Sequence, residues 1–308
     1  MQGDRDNDMN IVIFGAGAIG SLFGALLSKK NNVVLIGRSS HIKAIRKKGL
    51  DVTGKTQLNV KIPSEDSINK VTFLPDILIL TVKSYDTSLA ISQAKSIIHE
   101  DTTVLSLQNG LGNINKIEKV VDRRQIIAGV TTNGAFFPKS GVVKHTGKGQ
   151  TTLGELDGQK TKRIDSIVDA FNETGIETTA SGNILREIWI KTIVNSSINP
   201  LTTFSGCKNG YLLENPILEK IVERVCREST NIANAYGINL SYENMIKKTK
   251  EVIRNTSDNY SSMLQSFKNG KKTEIDSING KLTDIGKKHN IDTTMNDILT
   301  HIVKFECL

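Results

Sequence analysis

Cysteine is scarce in this sequence, and no stretch is long and apolar enough to cross a membrane. The cysteines number three and lie far apart, at Cys207, Cys226 and Cys307, without a CxxC pair or a Cys/His cluster. We therefore predict no metal site and expect these side chains to act as small buried hydrophobic groups. The longest clean apolar run, Ile77 to Val82, is strand-sized, whereas a membrane helix needs about 18 residues or more.

Aromatic residues are also few, at 5% of the chain, although the net charge is +8. Nucleic-acid-binding proteins concentrate their lysines on one element or face. Here the lysines are scattered in pairs such as Lys47-Lys48 and Lys271-Lys272. We therefore predict no nucleic-acid partner, and a small anionic cofactor and substrate explain the charge as well.

The amino terminus is polar and acidic, with neither a basic start nor an apolar stretch behind it, and this is not the pattern of a signal peptide. We expect residues 1–9 to form a disordered lead and the protein to be cytoplasmic. A chain of 308 residues is long enough for about two domains. We place the first over residues 10–182 and the second over residues 183–308.

The first half of the chain alternates short β-branched runs with helical stretches, which is typical of a doubly wound α/β domain. Several runs are apolar at consecutive positions, as expected when both faces of a parallel sheet are covered. The predicted strands are Ile11 to Phe14, Val33 to Ile36, Ile77 to Val82, Val104 to Leu107 and Ile126 to Val130. The predicted helices are Ile19 to Lys30, His41 to Lys48, Ser84 to Ile98 and Ile114 to Val120.

The remainder of the chain follows different patterns. From Gly134 to Gly158, alternation and a high content of glycine and threonine predict a pair of antiparallel strands at the edge of the first domain. A helix from about Lys160 to Thr174 is expected next. Beyond Asn183 the spacing is helical almost throughout, and we place the domain boundary near Gly182. Early helix breaks are expected at Pro200, Gly206 and Gly210.

The segment NIVIFGAGAIGS carries the pattern G-x-G-x-x-G between a predicted strand and a predicted helix, which is the context of a dinucleotide-binding turn. Gly15 permits the tight turn, Gly17 lets the backbone approach a pyrophosphate, and Gly20 lets helix and strand pack closely. The helix N-terminus then offers N–H groups and a positive dipole to the anion. We therefore predict cofactor binding at this turn rather than a purely structural role.

The end of the second strand indicates which dinucleotide is bound. NAD enzymes usually carry Asp or Glu there, whereas an arginine accommodates a 2′-phosphate. The sequence reads VVLIGRSS, with Arg38 and no carboxylate, so NADP is favoured over NAD. The alternative is that Arg38 only caps a surface loop.

Polar residues recur at helical spacing in the second half of the chain. Lys191, Asn195 and Asn199 stand at i, i+4 and i+8 in REIWIKTIVNSSINPLT, and so share one stripe of an otherwise apolar helix. Burying them would be costly unless they face a polar cleft. The alternative is a lysine that reaches solvent and asparagines that bond to neighbouring backbone.

Two polar residues follow predicted parallel strands. Lys83 in TVKSY and Asn109 in SLQNGLG lie at carboxyl ends of strands, where open α/β sheets bind ligands. Near the end of the chain, Ser262 lies ahead of Glu274. Taken alone, Glu274 is typical of a solvated charge on a helix.

Taken in order, these motifs resemble those of the ketopantoate reductase family. The set is GAGAIG, TVK, QNG, K-x-x-x-N-x-x-x-N-P, CKNG, SSMLQ and TEID-x-ING, and it spans nearly the whole chain after Met9. The resemblance implies a Rossmann-type doubly wound sheet followed by an all-α C-terminal domain like that of 6-phosphogluconate dehydrogenase. It also implies reduction of 2-dehydropantoate to pantoate by NADPH, in pantothenate and coenzyme A biosynthesis. A homodimer is left open.

The resemblance also assigns roles to residues. It implies that Lys191 is the proton donor. It places cofactor contacts at Gly15, Ala16, Gly17, Ala18, Ile19, Gly20, Arg38, Lys83, Asn109, Ala135 and Glu274. It places substrate contacts at Asn109, Asn195, Asn199, Asn209 and Ser262.

Two alternatives stay open. The first is a reductase of the same fold that acts on a different 2-keto acid. The second is a non-catalytic NADP-binding regulator on the same fold. The presence of Lys191 together with the substrate-binding residues counts against the regulator, because a sensor would not need a proton donor.

Overall fold

A computed structural model of the protein describes residues 8–305. Residues 1–7 of the expected lead and Cys307 lie outside that range. The chain divides into two compact units, of which the first comprises residues 8–108 and Asn113–Leu185 and the second Asn109–Gly112 and residues 186–305. Across residues 8–305, no helix has the length and hydropathy that a bilayer crossing requires.

The first unit is built from strands β1 to β12 and helices α1 to α5. Its strands are β1 (Asn10–Phe14), β2 (Asn32–Ile36), β3 (Leu50–Gly54), β4 (Leu58–Val60), β5 (Ser64–Glu65), β6 (Ile77–Leu80), β7 (Thr103–Ser106), β8 (Ile126–Thr131), β9 (Gly134–Lys139), β10 (Val142–Gly147), β11 (Thr151–Glu155) and β12 (Thr178–Ala180). Its helices are α1 (Ala18–Leu27), α2 (Ser39–Lys48), α3 (Thr87–Ala94), α4 (Asn113–Ile117) and α5 (Lys162–Glu173).

Eight of these strands form the main sheet, in the order β12-β11-β8-β7-β6-β1-β2-β5. Neighbours in this sheet run parallel except for β11 and β8. The chain adds β2 and β5 on one side of β1 and then returns to place β6 on the other. This reversal is a topological switch point, where open α/β sheets bind ligands. The predicted doubly wound α/β fold and its five strands are confirmed.

The apolar runs of the central strands reflect burial on both faces. All residues of β6 and β7 are buried, because helices cover both sides of a parallel sheet. Phe23 of α1 packs edge-on against Phe171 of α5, with ring centroids 6.0 Å apart. Met9, which the sequence analysis includes in the lead, donates its N–H to Asn31 Oδ1 at 3.2 Å and accepts from the N–H of Asn32.

The stretch from Gly134 to Gly158 contains the predicted antiparallel pair and one further strand. Strands β9 and β10 form the expected antiparallel pair, but they belong to a separate sheet of four strands, in the order β4-β3-β10-β9. Strand β11 joins the main sheet instead. The small sheet packs on α1, because Leu50, Val52 and Val143 contribute to the core around that helix. The sequence did not predict β3, β4, β5 or β12, of which β4, β5 and β12 are only two or three residues long.

The second unit is helical, as predicted. Its helices are α6 (Ile184–Ser205), α7 (Tyr211–Glu214), α8 (Pro216–Ala235), α9 (Tyr242–Asn255), α10 (Ser262–Lys268), α11 (Asn279–Lys288) and α12 (Thr294–Phe305). The break expected at Pro200 is wrong, because α6 continues through it to Ser205.

The two described cysteines differ in their surroundings. Cys226 on α8 is fully buried, which confirms the expectation for that residue. Cys207 is only partly buried, and its Sγ lies 3.0 Å from Ser205 Oγ. Cys207, in the turn that follows α6, nevertheless packs against the hydrophobic core of the second unit, so it acts as the expected small hydrophobic group but is less buried than expected.

The turn between β1 and α1 is a place where the fold requires glycine. Gly15 has a φ of +119°, and a Cβ atom on Gly20 would lie 2.2 Å from the Gly15 carbonyl oxygen. A Cβ atom on Gly17 would meet nothing nearer than 3.9 Å. Gly15 and Gly20 are thus required by packing within the chain, whereas Gly17 leaves open space beside the backbone.

Candidate active site

The carboxyl ends of β6, β1 and β2 bring three predicted cofactor elements to one edge of the main sheet. These strands are parallel neighbours. Gly15 follows β1 directly, Arg38 follows β2, and Lys83 follows β6. The first unit therefore assembles the glycine turn, the arginine and the lysine at the switch point of its sheet.

The glycine turn is held by hydrogen bonds that leave the start of α1 open. The N–H groups of Gly15 and Ala16 donate to the Ile36 carbonyl at 3.0 and 2.8 Å, and Thr81 Oγ1 donates to the Gly15 carbonyl at 2.8 Å. Gly17 is exposed and caps α1 without a side-chain hydrogen bond, and the first turn of α1 contains no acidic residue.

The first turn of α1 consists of Ala18, Ile19 and Gly20, whose N–H groups have no acceptor within the helix. Ala18 and Ile19 are partly exposed, whereas Gly20 is buried. An anion at this end of α1 would gain both these donors and the helix dipole. Thr81 was not singled out from the sequence, although it is the first residue of the TVK motif.

Arg38 is exposed at the N-terminus of α2. Within residues 8–305, no residue forms a hydrogen bond with its guanidinium group. A cleft of about 220 Å³ adjoins this position, and its lining includes Phe14, Gly37 and Asp66. The guanidinium is thus available to an anion at the edge of a cleft.

Asp66 is a residue of this cleft that sequence analysis missed. It accepts hydrogen bonds from Ser39 Oγ at 3.1 Å and from Lys70 Nζ at 2.6 Å, and these bonds, Lys70 first, hold the pKa of the carboxyl group below its usual range. The sequence shows no carboxylate at the end of β2, but β5 pairs with β2 and ends directly before Asp66. Two residues of strand give too little periodicity to predict β5.

The loop that carries Lys83 is held by polar side chains of the first unit, of which Gln108 is buried and Lys116 half-buried. Gln108 Nε2 donates to the Val82 carbonyl at 2.9 Å and to Thr87 Oγ1 at 2.8 Å. Lys116 Nζ donates to the Ser84 carbonyl at 2.7 Å. These bonds fix the backbone on both sides of Lys83, which is itself partly exposed.

Ala135 lies elsewhere in the first unit. It is a partly buried residue of β9 and pairs with His145 of β10 in the small sheet. The structure therefore places it on a strand other than those that carry the glycine turn, Arg38 and Lys83.

In the second unit, α6 carries the predicted polar stripe. Lys191 and Asn195 keep partial exposure, and Asn199 is 5% exposed. Burial lowers the pKa of Lys191 to about 8, while the negative charge of Glu274 acts in the opposite direction. Glu274 is only 6% exposed, so the interpretation of that residue as a solvated helix charge is wrong. The second unit therefore brings the predicted proton donor and the glutamate into electrostatic contact.

Asn209 presents an unsatisfied acceptor. Its side chain is 7% exposed, and its Nδ2 donates to Thr256 Oγ1 at 2.9 Å. Thr256 Oγ1 donates in turn to the Val252 carbonyl, so the amide orientation is fixed. Within the described chain, Asn209 Oδ1 is buried and has no hydrogen-bonding partner. Such an acceptor costs about 1–3 kcal/mol unless a ligand or water supplies a donor.

The two serines of SSMLQ have different environments. Ser261 is buried, caps α10 through the N–H of Leu264 at 3.2 Å, and accepts a hydrogen bond from Thr202 Oγ1 of α6 at 2.7 Å. Ser262 is exposed in the first turn of α10. Ser261 therefore holds α10 against α6, and Ser262 presents its hydroxyl group to solvent.

Asn109 lies in a short segment that packs on the segment after Glu274. The N–H of Leu111 donates to the Ser277 carbonyl at 2.8 Å. Gly110 has a φ of +80°, and a Cβ atom there would lie 2.4 Å from the same carbonyl oxygen. The QNG and TEID-x-ING motifs therefore meet within the second unit.

Among residues 8–305, no three histidine, cysteine or carboxylate side chains are grouped to hold a metal ion.

Comparisons with known proteins agree with this arrangement. The family model "Ketopantoate reductase PanE/ApbA" matches residues 11–158, and the model "Ketopantoate reductase PanE/ApbA C terminal" matches residues 183–306. The 2-dehydropantoate 2-reductase of Pyrococcus abyssi is 42% identical over 96% of this chain and 97% of its own length. That of Halobacterium salinarum is 35% identical over 96% and 98%.

A solved structure extends the likeness to three dimensions. The ternary structure of D-mandelate dehydrogenase with NADH and anilino(oxo)acetate has a TM-score of 0.92 at 31% identity, over 97% of this chain and 98% of that one. From these matches and the ordered motifs, the chain belongs to the ketopantoate reductase family, an oxidoreductase family.

Proposed function

We propose that this protein reduces 2-dehydropantoate to pantoate with NADPH, and that Lys191 supplies the proton. The observation that carries the proposal is the partly buried lysine on α6, with its lowered pKa and the glutamate charge beside it. Localisation in the cytoplasm, the absence of a nucleic-acid partner and an open choice of monomer or homodimer stay predictions from the sequence.

The residues of the first unit fit a dinucleotide. The open space beside Gly17 and the unpaired N–H groups at the start of α1 suit a pyrophosphate. Lys83, at the next strand end, would add positive charge. When bound, the nicotinamide supplies the hydride for the carbonyl carbon of the substrate.

Arg38 supports a preference for NADPH over NADH. Its exposed guanidinium at the start of α2 can form a bidentate ion pair with a 2′-phosphate. Asp66, in the adjoining cleft, is already engaged by Ser39 and Lys70. This engagement lowers its capacity to accept a hydrogen bond from the ribose hydroxyl of NADH.

Lys191 can supply the proton to the carbonyl oxygen. A pKa of about 8 leaves the side chain mostly as an ammonium at neutral pH and close to the value at which a general acid works best. The ammonium also stabilises the negative charge that develops on the oxygen. Glu274 assists because its charge favours the protonated lysine.

The polar side chains of the second unit suit a hydroxylated 2-keto acid. Within residues 8–305, no group forms a hydrogen bond with the side-chain amide of Asn195 or Asn199. Both amides can therefore donate to a carboxylate. Ser262 adds an exposed hydroxyl group. The buried Asn209 Oδ1 needs a donor, and the hydroxyl group of 2-dehydropantoate is one. We assign this acceptor to that hydroxyl group.

A second candidate is reduction of a different 2-keto acid, which the likeness to D-mandelate dehydrogenase favours. The two candidates differ at Asn209, because a 2-keto acid with a plain aromatic side chain, such as phenylglyoxylate, has no hydroxyl donor. A site built to bond a hydroxyl group discriminates strongly against analogues that lack it.

We predict that kcat/KM for 2-dehydropantoate exceeds that for phenylglyoxylate by a factor on the order of 10² or more. Steady-state rates with both acids, each with NADPH, measure this ratio. A ratio below one would support the second candidate. The absence of turnover with either acid, together with tight NADPH binding, would support the non-catalytic regulator.

We predict that Lys191→Ala lowers kcat for 2-dehydropantoate by about 10²- to 10⁴-fold, the usual contribution of a positioned general acid. The Kd for NADPH, measured by fluorescence titration, should stay within twofold of the wild-type value. Lys248→Ala removes an exposed lysine of α9 and is the matched control, which should retain full turnover. Near-normal turnover of Lys191→Ala would remove Lys191 from the mechanism.

We predict that Arg38→Asp shifts the preference from NADPH toward NADH, because the new carboxylate repels a 2′-phosphate and accepts from a 2′-hydroxyl group. The measurement is the ratio of kcat/KM for the two cofactors. Lys47→Asp makes the same change in charge near the other end of α2 and should leave the ratio unchanged. An equal ratio in Arg38→Asp and wild type would show that Arg38 does not contact the phosphate.

A further inference from the structure

Helix α6 contains a proline at a position where a helix normally needs a donor. Pro200 has no N–H, so the carbonyl oxygen of Ser196, four residues earlier, receives no hydrogen bond from the helix. In this structure Asn279 Nδ2 donates to that oxygen at 3.1 Å. A side chain at the start of α11 therefore replaces the missing backbone donor of α6.

The backbone hydrogen bond that Pro200 cannot form lies among the residues proposed to bind substrate. Asn195 directly precedes Ser196, and Asn199 directly precedes Pro200. A proline inside a helix also pushes against the carbonyl group four residues earlier and bends the helix. The geometry at this point therefore sets the direction of both amide side chains relative to Lys191.

The orientation of the Asn279 amide is fixed by a chain of buried hydrogen bonds. The Glu228 carboxylate accepts from the backbone N–H groups of Met295 and Asn296 at 2.8 Å and from Asn296 Nδ2 at 2.7 Å. Asn296 thus turns its oxygen away from Glu228, and that oxygen accepts from Asn279 Nδ2 at 3.0 Å. Asn279, with an exposed fraction of 0%, consequently directs its donor group at Ser196.

Asn279 also links two parts of the candidate site. It begins α11, shortly after Glu274 and the 3₁₀ turn Ile275–Ser277. Its bond to Ser196 therefore joins the segment that carries the glutamate to the helix that carries Lys191. Since the charge of Glu274 raises the pKa of Lys191, the separation of these segments affects the proton donor.

We propose that Asn279 is a positioning residue for the reduction. By donating to the carbonyl group that Pro200 leaves without a helical partner, it fixes α6 at Asn195 and Asn199 and holds that helix against the segment of Glu274. The catalytic part of this inference rests on the proposed function, whereas the coupling of Asn279 to Pro200 does not.

A double-mutant cycle tests the coupling without any substrate. Asn279→Ala removes the donor, and Pro200→Ala restores a backbone N–H that can bond to Ser196. We expect Asn279→Ala to lower the midpoint of thermal unfolding less in the Pro200→Ala background than in the wild type. Equal losses in the two backgrounds would overturn the coupling. Asn279→Ser, which is too short to reach Ser196, serves if the alanine variant does not fold.

Turnover tests the positioning role. We expect Asn279→Ala, or Asn279→Ser, to lower kcat for 2-dehydropantoate by about 10- to 100-fold, as displacements of reacting groups by about 1 Å do, with the Kd for NADPH unchanged. Adding Pro200→Ala should restore part of kcat.

The matched control for turnover is Asn234→Ala. This change removes two hydrogen bonds between the Asn234 side chain, in the last turn of α8, and the backbone of Leu240. It should lower the unfolding midpoint and leave kcat intact. An equal loss of kcat in Asn234→Ala and Asn279→Ala, or the absence of any rescue by Pro200→Ala, would overturn the positioning role. A wild-type protein that does not reduce 2-dehydropantoate would instead refute the proposed function, and the unfolding cycle would still decide the coupling.

Discussion

The electrostatic interaction between Lys191 and Glu274 is the feature of the second unit on which the proposed chemistry depends. Burial favours a neutral lysine, and the nearby carboxylate favours the ammonium. The balance gives a lysine that is charged at neutral pH and yet releases its proton readily, as the proposed proton donor must. The residues of α6 around Lys191 are largely apolar, so the desolvation of Lys191 depends on intact packing of α6. The buried glutamate in turn depends on the segment that Asn279 and Leu111 hold in place.

The sequence predicts the parts of this protein that repeat or that obey strong local rules. The apolar runs of the parallel strands and the glycine turn are of this kind, because burial on both faces and close packing at Gly15 and Gly20 admit few other residues. The ordered set of motifs indicated the family, although no single motif was specific enough to do so. The spacing of Lys191, Asn195 and Asn199 indicated one stripe of a helix, and α6 contains all three.

Other features depend on contacts between residues that are distant in the sequence. Strand β5 is only two residues long, so nothing local predicts that Asp66 lies in the cleft near Arg38. Pro200 suggested a helix end because the donor that replaces its N–H is Asn279, 79 positions later in the chain. Glu274 had the pattern of a solvated charge, and only its tertiary neighbours bury it. Local pattern thus underestimates polar groups that are satisfied by distant partners.

In the proposed mechanism Lys191 delivers the proton and the negative charge of Glu274 keeps that lysine protonated. The most direct measurement is the pH dependence of kcat/KM for 2-dehydropantoate in the wild type and in Glu274→Gln. Because the proposed mechanism requires the protonated lysine, kcat/KM should fall as the pH rises above about 8. Removing the glutamate charge should lower the pKa of Lys191 and shift this fall to lower pH. A fall that stays at the same pH, or moves to higher pH, in Glu274→Gln would show that Glu274 does not favour the protonated form of the proton donor.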